Sequence, residues 1–191
     1  MSKPYQITQI EQFQALTSPI RGEILDIVAL MGPVSIAKIA FFMGRPIDSL
    51  YYHVKLLSKV GLLIPDKKQK STRQMEATFD LPGRPMSLKY DPSQHEHVEN
   101  VKKSVSAMLR ATERNVHNAF ENNLIHVRET DRNMEHSLTL GWYNEEEIYE
   151  IREQIAEIIN RFRSTATNRK AGRGLYAMTS ILVPIKVKGK A

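Results

Sequence analysis

Cysteine is missing from all 191 residues, which excludes disulfide staples, thiolate metal sites and cysteine nucleophiles together. No apolar run approaches the roughly 18 residues that a membrane helix needs, and the opening MSKPYQITQIEQ is too polar for a secretory signal. The expectation is a cytoplasmic chain with no membrane partner. Catalytic motifs are absent as well: there is no nucleophile elbow, no Gly-rich phosphate loop and no zinc-hydrolase His pair. The run Glu145-Glu146-Glu147 reads more simply as helix-start charge than as an acid/base pair. These absences point away from an enzyme and from a cofactor. Repeats and low-complexity segments are also lacking, and the length suffices to bury a core without staples.

Charge is present, and unevenly spread. Residues 1–90 carry twelve Lys/Arg against seven Asp/Glu, a net +5. Residues 91–160 carry seven against fourteen, a net −7, and residues 161–191 carry eight against none. A basic N-terminal part suits a polyanion, whereas the acidic middle does not.

The stretch 47–63, IDSLYYHVKLLSKVGLL, organises that basic part. Leu50, Val54 and Leu57 recur at helical spacing, so one face packs inward. The other face offers Asp48, Tyr51, Tyr52, His53 and Lys55, and Gly61 stops the helix. Leu62-Leu63-Ile64 then starts a strand, and residues 66–73 form a basic loop. Upstream, Ile7, Ile10, Phe13 and Leu16 keep one helical face. Ser18-Pro19 opens a second helix that ends at Gly32-Pro33, and Ser35 caps a short third one closed by Gly44-Arg45-Pro46. Short helices joined by tight turns, then a strand and a basic hairpin, suit a winged helix-turn-helix.

The motifs Ala15-Leu16-x-Ser18-Pro19-x-Arg21-x-x-Ile24-Leu25 and Gly32-Pro33-Val34-Ser35-Ile36 carry a resemblance. So do Ile39-Ala40-x-x-Met43-Gly44, Leu50-x-x-His53-Val54-x-x-Leu57 and Val60-Gly61-Leu62-Leu63. Over about residues 8–80 the chain resembles ArsR-type winged-helix regulators. The resemblance implies a winged helix, a homodimer and control of transcription through double-stranded DNA. One departure is that Ile47, Asp48 and Tyr51 stand where small polar residues usually begin the reading helix.

A recognition helix at about 47–60 makes Ile47, Asp48, Tyr51 and Tyr52 the base-reading candidates, since the first turns reach base edges. Asp48 could accept from a cytosine amine, but a charge at the positive helix start is the simpler role. Arg45, His53, Lys55 and, in a wing at 65–75, Lys67, Lys68, Lys70 and Arg73 are the phosphate candidates. The alternative for the wing residues is a solvated turn.

Leu81-Pro82-Gly83-Arg84-Pro85 and Asp91-Pro92 break regular structure, so residues 81–92 read as a linker after a DNA-binding domain at 1–80. Residues 93–191 read as a dimerisation region with room for an unidentified small-molecule effector. There Ser93-x-x-Glu96 suggests a capping box opening a helix from about 94 to 129. Its stripe Val98, Val101, Val105 and Met108 is the expected dimer contact. An alternating piece at 137–143, a helix from Asn144 bearing Ile148, Ile151, Ile155, Ile158 and Phe162, and an alternating piece at 175–187 suggest a small β-α-β element. The expected class is mainly α with small β. His95, His97, His117, His126 and His136 do not fall at metal-ligand spacing; His95 and His97 sit ~200° apart on a helix. No metal site is expected.

Overall fold

A computed structural model describes residues 3–66, 77–165, 172 and 174–187. The chain is mainly helical with a small sheet component. In order, its elements are β1 (Tyr5–Ile7), α1 (Ile10–Leu16), α2 (Pro19–Met31), β2 (Val34–Ser35), α3 (Ile36–Met43) and α4 (Asp48–Lys59). They continue as β3 (Ile64–Pro65), β4 (Thr78–Asp80), β5 (Met86–Leu88), α5 (His95–Glu121) and α6 (Glu145–Thr165).

The punctuation read from the sequence sets most of the early boundaries. Ser18 precedes Pro19 at the first turn of α2, and the Ser35 hydroxyl accepts the Lys38 N–H at 3.3 Å to start α3. Gly44 closes α3 in the left-handed conformation with φ of 61°, which costs a residue without Cβ nothing. Gly61, at φ of 74°, turns the chain out of α4. The core then gathers Phe13 from α1, Ile24 and Val28 from α2, Ile39 from α3, Leu50, Val54 and Leu57 from α4, and Leu62 and Leu63 beyond it. β2, β4 and β3 form an antiparallel sheet in that order, with Val34 opposite Phe79 and Ile64 opposite Asp80. The β3–β4 hairpin therefore stands beside α4 in sequence and ties back to α3 through β2.

Several expectations are corrected. Ile7 is not helical: it is buried in β1, which pairs in parallel with β5, and α1 begins only at Ile10. Consequently residues 81–88 are no plain linker. Leu81 is buried, β5 pairs with β1, and the Arg84 guanidinium donates to the Val28 carbonyl at 3.0 Å while pairing with Asp80. At Gly83 a Cβ would lie 2.2 Å from the Lys3 carbonyl, so only glycine permits this approach. Lastly, α5 starts after an Asp91 turn. The Asp91 carboxylate accepts the Ser93 N–H at 2.9 Å and the Ser93 hydroxyl at 2.7 Å, so Ser93 is spent on the turn and not on a capping box.

α5 ends at Glu121 instead of about 129. Its inner face packs on α1 and α2 of its own chain. Asn100 and Ala107 are buried there, the His97 ring lies 5.0 Å from Phe13, and Arg114 pairs with Glu23 at 3.1 Å. Beyond it, Asn144 caps α6 reciprocally: its side chain accepts the Glu147 N–H at 2.9 Å, and its own N–H donates to the Glu147 carboxylate at 2.8 Å. The stretches 137–143 and 174–187 take no regular secondary structure, and among the described residues neither forms a ladder. The expected β-α-β element is thus a helix, α6, between two stretches without strand pairing among the described residues. Alternation of side chains provides a face to bury, but a strand needs a neighbour to accept its N–H groups.

Candidate nucleic-acid interface

α4 divides its residues cleanly. Leu50, Val54 and Leu57 are at most 2% exposed, and their burial anchors the helix to α2 and α3. One position along, Tyr51 and Tyr52 are 52% and 66% exposed. Asp48, Ser49, Lys55 and Lys59 share that outer surface. A 3.6-residue period forces this division, since i, i+4 and i+7 fall on one side and their successors on the next.

The base-reading candidates do not all reach solvent equally. Ile47 is half-buried and packs against the core, so it is at least partly a packing residue. Asp48 sits in the first turn, and its side chain makes no hydrogen bond to a described residue; its charge faces the positive end of the helix dipole. Tyr51 and Tyr52 project outward. Among the phosphate candidates, Lys55 is exposed, while Arg45 and His53 are half-buried at the rim of α4. Lys67, Lys68, Lys70 and Arg73 lie outside the described residues. They belong by sequence to the connection between β3 and β4.

Arg21 and Lys59 join this surface without having been singled out as contacts. Arg21, Tyr52, Lys55 and Lys59 line an open groove of about 570 Å³ between α1 and α4, with Glu11 as its one acid. The Arg21 guanidinium bonds the Ala15 carbonyl, and the Gln14 carbonyl at 3.2 Å, closing the last turn of α1. Its appearance in the motif Ser18-Pro19-x-Arg21 was the available signal. Phe41 is 81% exposed on α3; it falls off the inward stripe of Ile36, Ile39, Ala40 and Met43, and that misplacement was readable.

His53 shows the electrostatics of the rim. Burial holds its imidazole below the ordinary 6.5, and the nearby Arg21 and Arg45 charges lower it further. Its Nδ1 is buried with no partner among the described residues. Because the folded value lies below the unfolded one, the unfolded chain binds the proton first as pH falls below 6.5. The His53 contribution to stability is therefore full above that pH and is lost as pH drops through the folded value. Desolvation pushes the Asp26 carboxyl up to about 6, which acts in the opposite sense over the same range. The His53 part is therefore read as the difference between the parent and His53→Gln in denaturant titrations from pH 7 to 5, the variant gaining relative stability as pH falls. An unchanged pH profile in the variant would mean that His53 is solvated like a free imidazole.

The dimer candidates are distributed differently from expectation. Val101 packs against the chain's own core, Val98 and Val105 are half-buried, and Met108 is exposed. Among the described residues no cluster of three or more His, Asp or Glu could hold a metal ion, and no helix is long and apolar enough to cross a membrane. His97 is engaged by its own turn, accepting the Asp91 N–H on Nδ1 at 3.2 Å. No family model matches the chain, and no curated protein matches it.

Proposed function

We propose that this chain is a cytoplasmic, ArsR-like winged helix-turn-helix regulator of transcription that binds double-stranded DNA as a homodimer and has no catalytic activity. The observation that carries the reading is the outer face of α4: two exposed tyrosines among Lys55, Lys59, Arg45 and Arg21, on a helix held by a buried opposite face. In this reading α3 and α4 are the helix-turn-helix, the start of α4 enters the major groove, and the β3–β4 hairpin is the wing. The lysines and arginines contact phosphates and supply affinity without sequence preference. Tyr51, with Tyr52 beside it, reads or stacks. A two-fold partner sets two α4 helices about one DNA turn apart, and a small-molecule effector could act through the region after residue 93.

The exposed Tyr51 and Tyr52 favour a second reading, in which the same face binds a protein and there is no sequence-specific DNA binding. Selecting duplexes from a random pool separates the two, because only the first reading yields an enriched, two-fold symmetric sequence. Changing Lys67, Lys68 and Lys70 together to Ala should then weaken all duplexes alike. The log–log salt slope should flatten by about 0.9 for each phosphate that the variant no longer neutralises. A pool that yields no enrichment, with binding insensitive to salt, would leave the protein-binding reading.

A further inference from the structure

We propose that the groove between α1 and α4 is a binding site for a small organic carboxylate with an apolar body, and that its occupant competes with duplex DNA for α4. The site itself stands without the DNA reading; the competition rests on it.

Spacing on α4 builds one wall. Tyr52, Lys55, Leu56, Lys59 and Val60 fall at i, i+3, i+4, i+7 and i+8, so all five share one side of the helix. Leu56 and Val60 are partly buried and pack on the core, while Lys55 and Lys59 stand exposed beside them. Opposite, α1 supplies the buried Ala15, and Arg21 stands at its end. The result is an apolar floor under a cationic rim, with about 570 Å³ of room. Small-molecule sites hold about 300–1,000 Å³ and combine apolar walls with a few placed polar groups.

The charge of the rim is unmatched. None of Arg21, Lys55 and Lys59 forms an ion pair with a described carboxylate. Lys55 and Lys59 stand one turn apart, where like charges repel. With Glu11 as the one acid, three cations leave the rim at net +2. Arg21 is its ordered member. Two of a guanidinium's five N–H groups go to the Ala15 and Gln14 carbonyls, which fixes its plane and leaves three for a ligand. A planar fork held in advance matches the two oxygens of a carboxylate and loses little freedom on binding.

The floor decides between anions. A free phosphate is hydrated on every side and gains nothing from Leu56 and Val60 beneath it. An uncharged apolar ligand would desolvate three cations without compensation. A carboxylate on an aromatic body satisfies both layers and lays its ring against Tyr52. The wall from Tyr52 to Val60 is about 12 Å long at 1.5 Å per residue, room for a bicyclic acid but for only three or four residues of an extended chain. Because Arg21, Lys55 and Lys59 are also the cations of the proposed duplex contact, acid and duplex exclude one another.

The full-length, isotope-labelled protein is titrated with 2-naphthoate, with the neutral naphthalene-2-carboxamide and with inorganic phosphate. The expected result is one naphthoate per chain with a Kd of about 0.1–1 mM, and amide shifts confined to residues 11–21 and 52–60. The carboxamide and phosphate should each bind roughly 10-fold more weakly. Lys55→Gln together with Lys59→Gln should weaken naphthoate roughly 5-fold and leave the unfolding midpoint in place. Naphthoate should also raise the apparent Kd of a selected duplex in step with groove occupancy. Phosphate binding as tightly as naphthoate would reduce the groove to a phosphate contact and overturn the site. Equal affinity for the carboxamide, shifts outside those residues, or no binding by ~10 mM would overturn it as well. A polyglutamate peptide that binds the groove more tightly than naphthoate would make the occupant a protein segment, with the same consequence. Naphthoate that fills the groove and leaves the duplex Kd unchanged overturns the competition alone. A chain that binds naphthoate and no duplex keeps the site and removes the DNA reading, and the competition with it.

Discussion

Replacing Leu50 with Ala should cost about 2–5 kcal/mol of stability, while Tyr51→Ala, one residue further along the same helix, should change it by less than about 0.5 kcal/mol. Leu50 is fully buried between α4 and its neighbours, so truncation leaves a cavity that tightly packed helices close only in part. Against a domain stability of about 5–15 kcal/mol that loss is large. Duplex binding by Leu50→Ala should fall only as far as the folded population falls. Tyr51→Ala should behave in the opposite way, holding its unfolding midpoint but losing about 1–3 kcal/mol of discrimination between a selected duplex and a random one. Denaturant unfolding paired with duplex titration measures both. If Tyr51→Ala weakens the two duplexes equally, Tyr51 positions α4 and does not read. Ile47→Ala is a poorer test of reading, because Ile47 also packs on the core.

The triple variant Arg45→Ala, Lys55→Ala, Lys59→Ala should flatten the salt slope by about 2–3 and lower affinity for every duplex by roughly 10²–10³ at 0.1 M salt. The size follows from counterion release: each phosphate neutralised adds about 0.9 to the slope, and hence about 0.9 decades between 1 M and 0.1 M salt. None of the three forms an ion pair with a described carboxylate, so folding should be spared. Arg21 is deliberately left in place. Its guanidinium closes the end of α1, and removing it would leave the Gln14 and Ala15 carbonyls without that donor. Equal slopes for the variant and the parent would mean that this face does not meet phosphate.

Most of the candidate interface was legible because its signals are short-range. The apolar period of Leu50, Val54 and Leu57 names both faces of α4, and Ser18, Pro19, Ser35, Gly44 and Gly61 mark boundaries through chemistry acting within four residues. The tyrosines, Lys55 and Arg45 then follow as the residues left outside. Arg21 and Lys59 required the groove between α1 and α4 to exist before they could be grouped with them.

What the sequence determined alone is therefore the set of helices, their caps, the amphipathic division of α4 and the uneven charge. Only the tertiary structure decided where these meet. The three-residue strands β1 and β5 are too short to show a period, and their pairing joins residues some eighty positions apart. Arg84 reaches the Val28 carbonyl across 56 positions, which no local pattern announces. The stripes of α5 could not say which one faces its own chain; packing on α1 and α2 decided that. The stretches 137–143 and 174–187 have the alternation of strands and yet form none within the described chain. A helix satisfies its own backbone hydrogen bonds and can be read from one segment, whereas a strand is completed only by a neighbour whose place the segment does not encode.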